Sequence, residues 1–165
     1  MSKVIRIKPH HFLDIVRDYG AGVEFRPSPY GHAVHIVAEK VLADRQVMLE
    51  LVLGIDDICE PCTNHVDGHC LDTTTTTGKI ASKEWWNRII DTRLLGRMGL
   101  TEGTRIRADE FCRLARQRLY PKGAVEGSLI SDIWREASPQ KTRRRARDLL
   151  DGIALYLGET APALP

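Results

Sequence analysis

Cys59, Cys62 and Cys70 fall within the fifteen residues DDICEPCTNHVDGHC, together with His65, His69 and three aspartates. A Cys-x2-Cys pair can chelate one centre, because two intervening residues form a tight turn that points both thiolates to one side. Cys70 adds a third sulfur after a loop that contains Gly68. Three thiolates on one loop select a soft metal. Zinc takes four tetrahedral N or S donors, whereas an iron–sulfur cluster takes four ligands, or three with one iron left open. A redox CxxC of the thioredoxin type needs no third cysteine, and disulfides are unusual where thiols stay reduced.

The fourth ligand is the open corner. His65 and His69 lie inside the loop, but His69 adjoins Cys70 and would strain to reach the same ion. Cys112, in DEFCRLARQ, stands beside the apolar stripe of Phe111, Leu114 and Ala115, the usual setting of a small buried hydrophobe. In KPHHFLD, Asp14 stands three residues after His11 and four after His10, so one helix face can carry all three. An imidazole beside a carboxylate is a common outer-shell or acid/base arrangement.

Other patterns carry less chemistry. His32, His35 and Glu39 share a face if the second helix includes them all, yet one helix offers too few converging ligands for a metal. TTTTTGKI lacks the Gly and the final Ser/Thr of a phosphate loop, which excludes that mode of nucleotide binding. KTRRRARD concentrates Arg143, Arg144, Arg145 and Arg147 near a helix N-terminus, where positive charge is unfavourable. These arginines are the candidate contacts for nucleic acid, with a solvated face as the plainer alternative. Trp85 and Trp86 are adjacent and cannot both face one core from a helix.

The elements that must position these residues follow from periodicity and punctuation. KVIRI (Lys3 to Ile7) alternates as a short strand, and Pro9 opens a helix over HHFLDIVRDYG. Ser28-Pro29 predicts the start of a second, well-buried helix running through SPYGHAVHIVAEKVLADR. QVMLELVLG, apolar at nearly every position, predicts a central strand with the cysteine stretch hanging off its end. The threonine run favours extended structure or loop. Further helices are predicted over SKEWWNRIIDTRLLGRMG, capped by Ser82 and stopped by Gly99, over ADEFCRLARQRL, and over the basic C-terminal segment at about 139–157. The expectation is an α+β fold: one mostly helical domain over 1–165 with a small β-sheet and a metal-binding loop at 56–72.

A chain of 165 residues can bury a core without a metal staple, so a metal here suggests more than folding. The net charge of +2 implies no strong general attraction to nucleic acid or membrane, but the charge is unevenly distributed. Residues 1–75 hold seven Lys/Arg against eleven Asp/Glu, and residues 76–165 hold seventeen against eleven. No apolar stretch is long enough for a signal peptide or a membrane span, which gives a cytoplasmic location as the expectation.

KPHHFLD, then GIDDICEPC, then GHC, resembles in order and spacing a bacterial and archaeal family catalogued as domain of unknown function 1284, over roughly residues 6–112. The resemblance raises iron over zinc without naming a reaction. In that family the histidine pair is commonly followed three residues later by a cysteine, where this chain has Asp14. What the resemblance implies is a [4Fe-4S] cluster with three irons on Cys59, Cys62 and Cys70. The fourth iron is then held by Asp14 as a weak oxygen ligand, or left open. His10 and His11 become the acid/base or outer-shell groups of a small cluster-dependent enzyme acting on a small molecule. The alternatives are a structural zinc module, closed by His11, Asp14 or Cys112 and presenting the basic helix to RNA, and an electron carrier serving a redox partner with Cys112 as fourth thiolate.

Overall fold

The computed structural model describes residues 4–76 and 78–159. Lys3, the first residue of the predicted strand, and Thr77, the last of the threonine run, lie outside the described residues. In chain order the elements are β1 (Ile5–Ile7), α1 (Pro9–Gly20), α2 (Val34–Ala43), β2 (Met48–Leu51), β3 (His65–Val66), β4 (His69–Cys70), β5 (Thr73–Thr74), β6 (Ala81–Ser82), α3 (Lys83–Met98), β7 (Arg105–Arg107), α4 (Ala108–Leu119), α5 (Ile130–Ile133) and α6 (Pro139–Tyr156). The architecture is α+β, with helices packed on a small sheet. No helix among the described residues is long and apolar enough to cross a membrane.

The principal sheet has the order β1-β2-β7. β2 is central, parallel to β1 with Ile5 opposite Leu49 and antiparallel to β7 with Leu49 opposite Ile106. Its burial alternates: Leu49 and Leu51 are fully buried and Met48 and Glu50 only partly, so one face of the sheet meets the core. The fully buried face of α1 carries Phe12, whose ring meets Phe111 and Tyr156 edge-on at 5.4 and 5.9 Å. α1 and α6 cross so closely that a Cβ on Gly20 would lie 2.4 Å from the Cα of Gly152. Tyr156 and Tyr120 bury their rings and donate to the carbonyls of Val41 and Ala146, at 2.6 and 2.7 Å.

The predicted cap at Ser82 forms, and Ser138 caps α6 in the same way: each side chain accepts from the backbone N–H three residues on. Gly99 ends α3 in the left-handed conformation. Ser28-Pro29 does not start α2. Ser28 accepts through its carbonyl from Gly31 N and through Oγ from Tyr30 N, and the positive φ of Gly31 turns the chain before Val34. α2 is therefore shorter than predicted, and its buried residues, Val37, Ala38 and Val41, form one face while Ile36 is exposed. His32 lies outside the helix, so it does not share a helix face with His35 and Glu39. Trp85 is exposed and Trp86 half-buried, as their adjacency on α3 requires.

Candidate metal centre

The cysteine loop leaves β2 and folds back against the start of α1. Asp57 N donates to Arg6 O at 3.0 Å, and Arg6 N to Asp57 Oδ2 at 3.2 Å, which fastens the loop to the edge of β1. A turn places Cys59 N on the carbonyl of Asp56, and a second places Cys62 N on the carbonyl of Cys59. Cys70 is then returned by the hairpin β3–β4, in which His65 pairs with Cys70. Its two-residue turn is Asp67-Gly68, both with positive φ, the geometry that Asp-Gly favours. The turn at Tyr30 closes over the loop through Thr63 N, which donates to Tyr30 O at 2.8 Å.

All three cysteines line one cavity of about 420 Å³, together with Lys8, His11 and Asp14. The loop histidines do not join them. His65 donates from Nδ1 to the carbonyl of Glu60, and His69 is exposed on the alternate side of β4, 3.3 Å from Glu84. Cys112 is also elsewhere: it is fully buried on α4 within the apolar core, and burial raises its thiol pKa far above the ordinary value. The structure therefore separates Cys112 from the other three cysteines. Asp14 lines the cavity wall but is committed to ion pairs with Arg17 and Arg145, the latter at 3.3 Å.

Two buried aspartates that sequence reasoning did not single out organise the histidine pair. Asp56, 1% exposed, takes Cys59 N on Oδ1 at 2.9 Å, and on Oδ2 takes Lys8 N at 2.9 Å and His11 Nδ1 at 2.7 Å. Burial alone would raise its pKa; in the acid range where it titrates, the positive charges of His11 and Lys8 and their hydrogen bonds overcome this and hold it far below the usual carboxylate range. Asp91, from α3, accepts His10 N at 2.8 Å and His10 Nδ1 at 2.7 Å, so it caps an α1 N-terminus that has no local side-chain cap. The helix dipole favours acidic side chains at this end. The only sequence signals were the first aspartate of GIDDIC and a helix opening without its own capping residue.

Burial, stronger than the attraction of Asp56, lowers the pKa of His11 and keeps its imidazole neutral. Donation from Nδ1 to Asp56 then leaves a lone pair on Nε2, the arrangement that suits a metal ligand or a general base. Lys8, 5% exposed, donates from Nζ to Cys59 Sγ at 3.1 Å. Burial, followed by the charge of Asp56, pushes the Cys59 thiol up to about 12, against the opposing pull of Lys8. A soft cation displacing that proton would gain a thiolate already hydrogen-bonded to an ammonium. His11, Asp56 and Cys59 are also the one set of three potential donors, among the described residues, whose atoms all lie within 4.8 Å of one another.

A family model described as "Protein of unknown function (DUF1284)" matches residues 29–130, which take in the cysteine loop and Cys112 but begin after the histidine pair. No curated protein matches the chain, and no solved structure does. With the match covering more than half of its length, the chain belongs to the DUF1284 family.

Proposed function

We propose that the protein binds a [4Fe-4S] cluster through Cys59, Cys62 and Cys70, with the fourth iron open and His11, rather than Asp14, as the functional group beside it. The observation that carries this reading is the shared cavity, in which three thiols from one loop meet a neutral imidazole whose Nδ1 is already committed. The spacing of the sulfurs favours a cluster over zinc. Ligands of one tetrahedral zinc lie about 3.8 Å apart, as follows from a Zn–S bond of about 2.3 Å. Cys59, Cys62 and Cys70 do not all lie within 4.8 Å of one another, so at least one pair of their sulfurs is wider apart than a single zinc spans.

A bound cluster with one iron lacking a thiolate would supply a Lewis acid. The protein's own groups do the rest. His11 Nε2 accepts or returns a proton on a small molecule in the cavity, Asp56 holds the ring in that tautomer, and Lys8 donates a hydrogen bond to the Cys59 sulfur. His10, held by Asp91, packs 4.3 Å from His11 and steadies it. Asp14 serves as the anionic partner of Arg17 and Arg145.

The second reading, a structural zinc module, draws on the close grouping of His11, Asp56 and Cys59. Its weakness is that both oxygens of Asp56 already accept hydrogen bonds. Iron, sulfide and zinc analysis after anaerobic purification separates the two: about four irons and four sulfides per chain are expected, whereas one zinc without sulfide would sink the cluster. Cys112→Ala should leave iron and sulfide unchanged. Their loss in that variant would instead favour the four-cysteine electron carrier.

A further inference from the structure

Three surface depressions away from the cysteine cavity run into one another. The first, about 780 Å³, is lined by Arg93 and Arg97 of α3 and Arg118 of α4. It shares Asp132 with a second, of about 500 Å³, that holds Arg135. The second shares Pro139 and Arg143 with a third, of about 310 Å³, lined also by Arg144 and Arg147. All seven arginines are exposed, and the one ion pair among them in the described residues is Arg144 with Asp148, at 3.9 Å. The acids along the way are Glu126, Asp132 and Glu136, of which Glu136 is already bonded to Arg145.

Arg145 is not part of this surface, although its neighbours in sequence are. It turns inward, with its guanidinium 3.8 Å over the ring of Trp134, and pairs with Asp14 and Glu136. Arg93 and Arg97, like Arg143 and Arg147, stand one helical turn apart, about 6 Å along their helix axes. Guanidinium groups in such a succession suit the bidentate recognition of phosphates. None of the lining residues in the three depressions is aromatic, so the track offers no platform for stacked bases.

From this geometry we infer that the arginine track from Arg93 to Arg147 binds the phosphodiester backbone of double-helical nucleic acid without reading its sequence. The small net charge of the chain conceals the site: the acidic residues divide evenly, eleven in residues 1–75 and eleven in 76–165, whereas seventeen of the 24 Lys/Arg fall in the second segment. The inference is independent of the metal in the cysteine cavity, which shares no lining residue with the track.

The experiment is fluorescence anisotropy of the full chain with labelled DNA and RNA duplexes of about 20 base pairs, and with the unstructured single strand, between about 50 and 200 mM KCl. Engagement of about five phosphates gives a slope of log K against log salt near −4.5, and Arg143→Gln/Arg147→Gln or Arg93→Gln/Arg97→Gln each flatten it by about 2. Arg105→Gln, which removes the same kind of charge from a residue paired with Glu50 outside the track, leaves the slope unchanged. The inference is overturned by no duplex binding at the lowest salt, by equal flattening with Arg105→Gln, by tighter binding of the single strand, or by polyglutamate binding as tightly as either duplex.

Discussion

Asp56 gathers three hydrogen bonds that join the start of α1 to the cysteine loop, and it does so from a fully desolvated position. A neutral amide in its place keeps the shape but presents one acceptor oxygen and two N–H donors, so His11 Nδ1 or Cys59 N is left facing a donor. Asp56→Asn should cost about 3 kcal/mol of unfolding free energy, the range for breaking a buried charged hydrogen-bond network. Urea denaturation measures this, and a loss under about 1 kcal/mol would show that the loop finds other partners. Asp109 is a second carboxylate with a structural duty, bonded to Arg113 at 2.7 Å and Arg107 at 3.2 Å in the first turn of α4. Burial pushes its pKa up, but the hydrogen bond from Arg113 and the charges of Arg107 and Arg113 outweigh this and hold it below the ordinary value. With the folded value depressed, the stabilisation is full above the unfolded pKa of about 3.9 and is lost as the pH falls through the folded value. Asp109→Asn should therefore be less stable than wild type by about 1 kcal/mol at neutral pH, a gap that closes below about pH 4 in chemical denaturation.

At the scale of elements, the contact between α1 and α6 carries the histidine helix. A Cβ on Gly152 would stand 2.1 Å from the carbonyl oxygen of Val16, a backbone atom that cannot swing aside. Gly152→Ala should separate the two helices and destabilise the fold by about 3 kcal/mol, even though Ala is the better helix former. A thermal melt showing unchanged or higher stability would mean that the crossing has slack. Because α1 also carries His10 and His11, the same substitution should weaken retention of the proposed cluster although Gly152 does not line the cavity.

At the scale of the whole molecule, the core of α1, α3, α4, α6 and the main sheet is continuous without the cysteine loop, of whose residues only Ile58 joins the core cluster. With the proposed cluster bound in the cavity, its removal should therefore loosen the loop and leave the fold. Hydrogen exchange before and after chelation should show protection lost over residues 56–70 and retained in α1 and α6; loss throughout would make the metal a staple of the fold. Arg145 stands between the two surfaces that carry function in these proposals. It bonds to Asp14 of the cysteine cavity on one side and to Glu136 of the arginine track on the other.

The sequence by itself determined most of the elements, because caps and stops are local: Ser82 and Ser138 begin helices, Gly99 ends one, and the close spacing of Cys59, Cys62 and Cys70 anticipates the one cavity that they line. It misplaced the start of α2, since Ser-Pro opens a turn as readily as a helix and the positive φ of Gly31 decides between them. The Asp-Gly turn of β3–β4 was written in the chain but is too short to announce strands of two residues. Only the tertiary structure assigned partners across long separations: Asp56 to His11, Asp91 to His10, and Asp14 to Arg145. The physical reason is desolvation. A buried carboxyl must find its donors wherever packing brings them, and no local spacing records that His10 and Asp91, 81 residues apart, will meet at 2.7 Å.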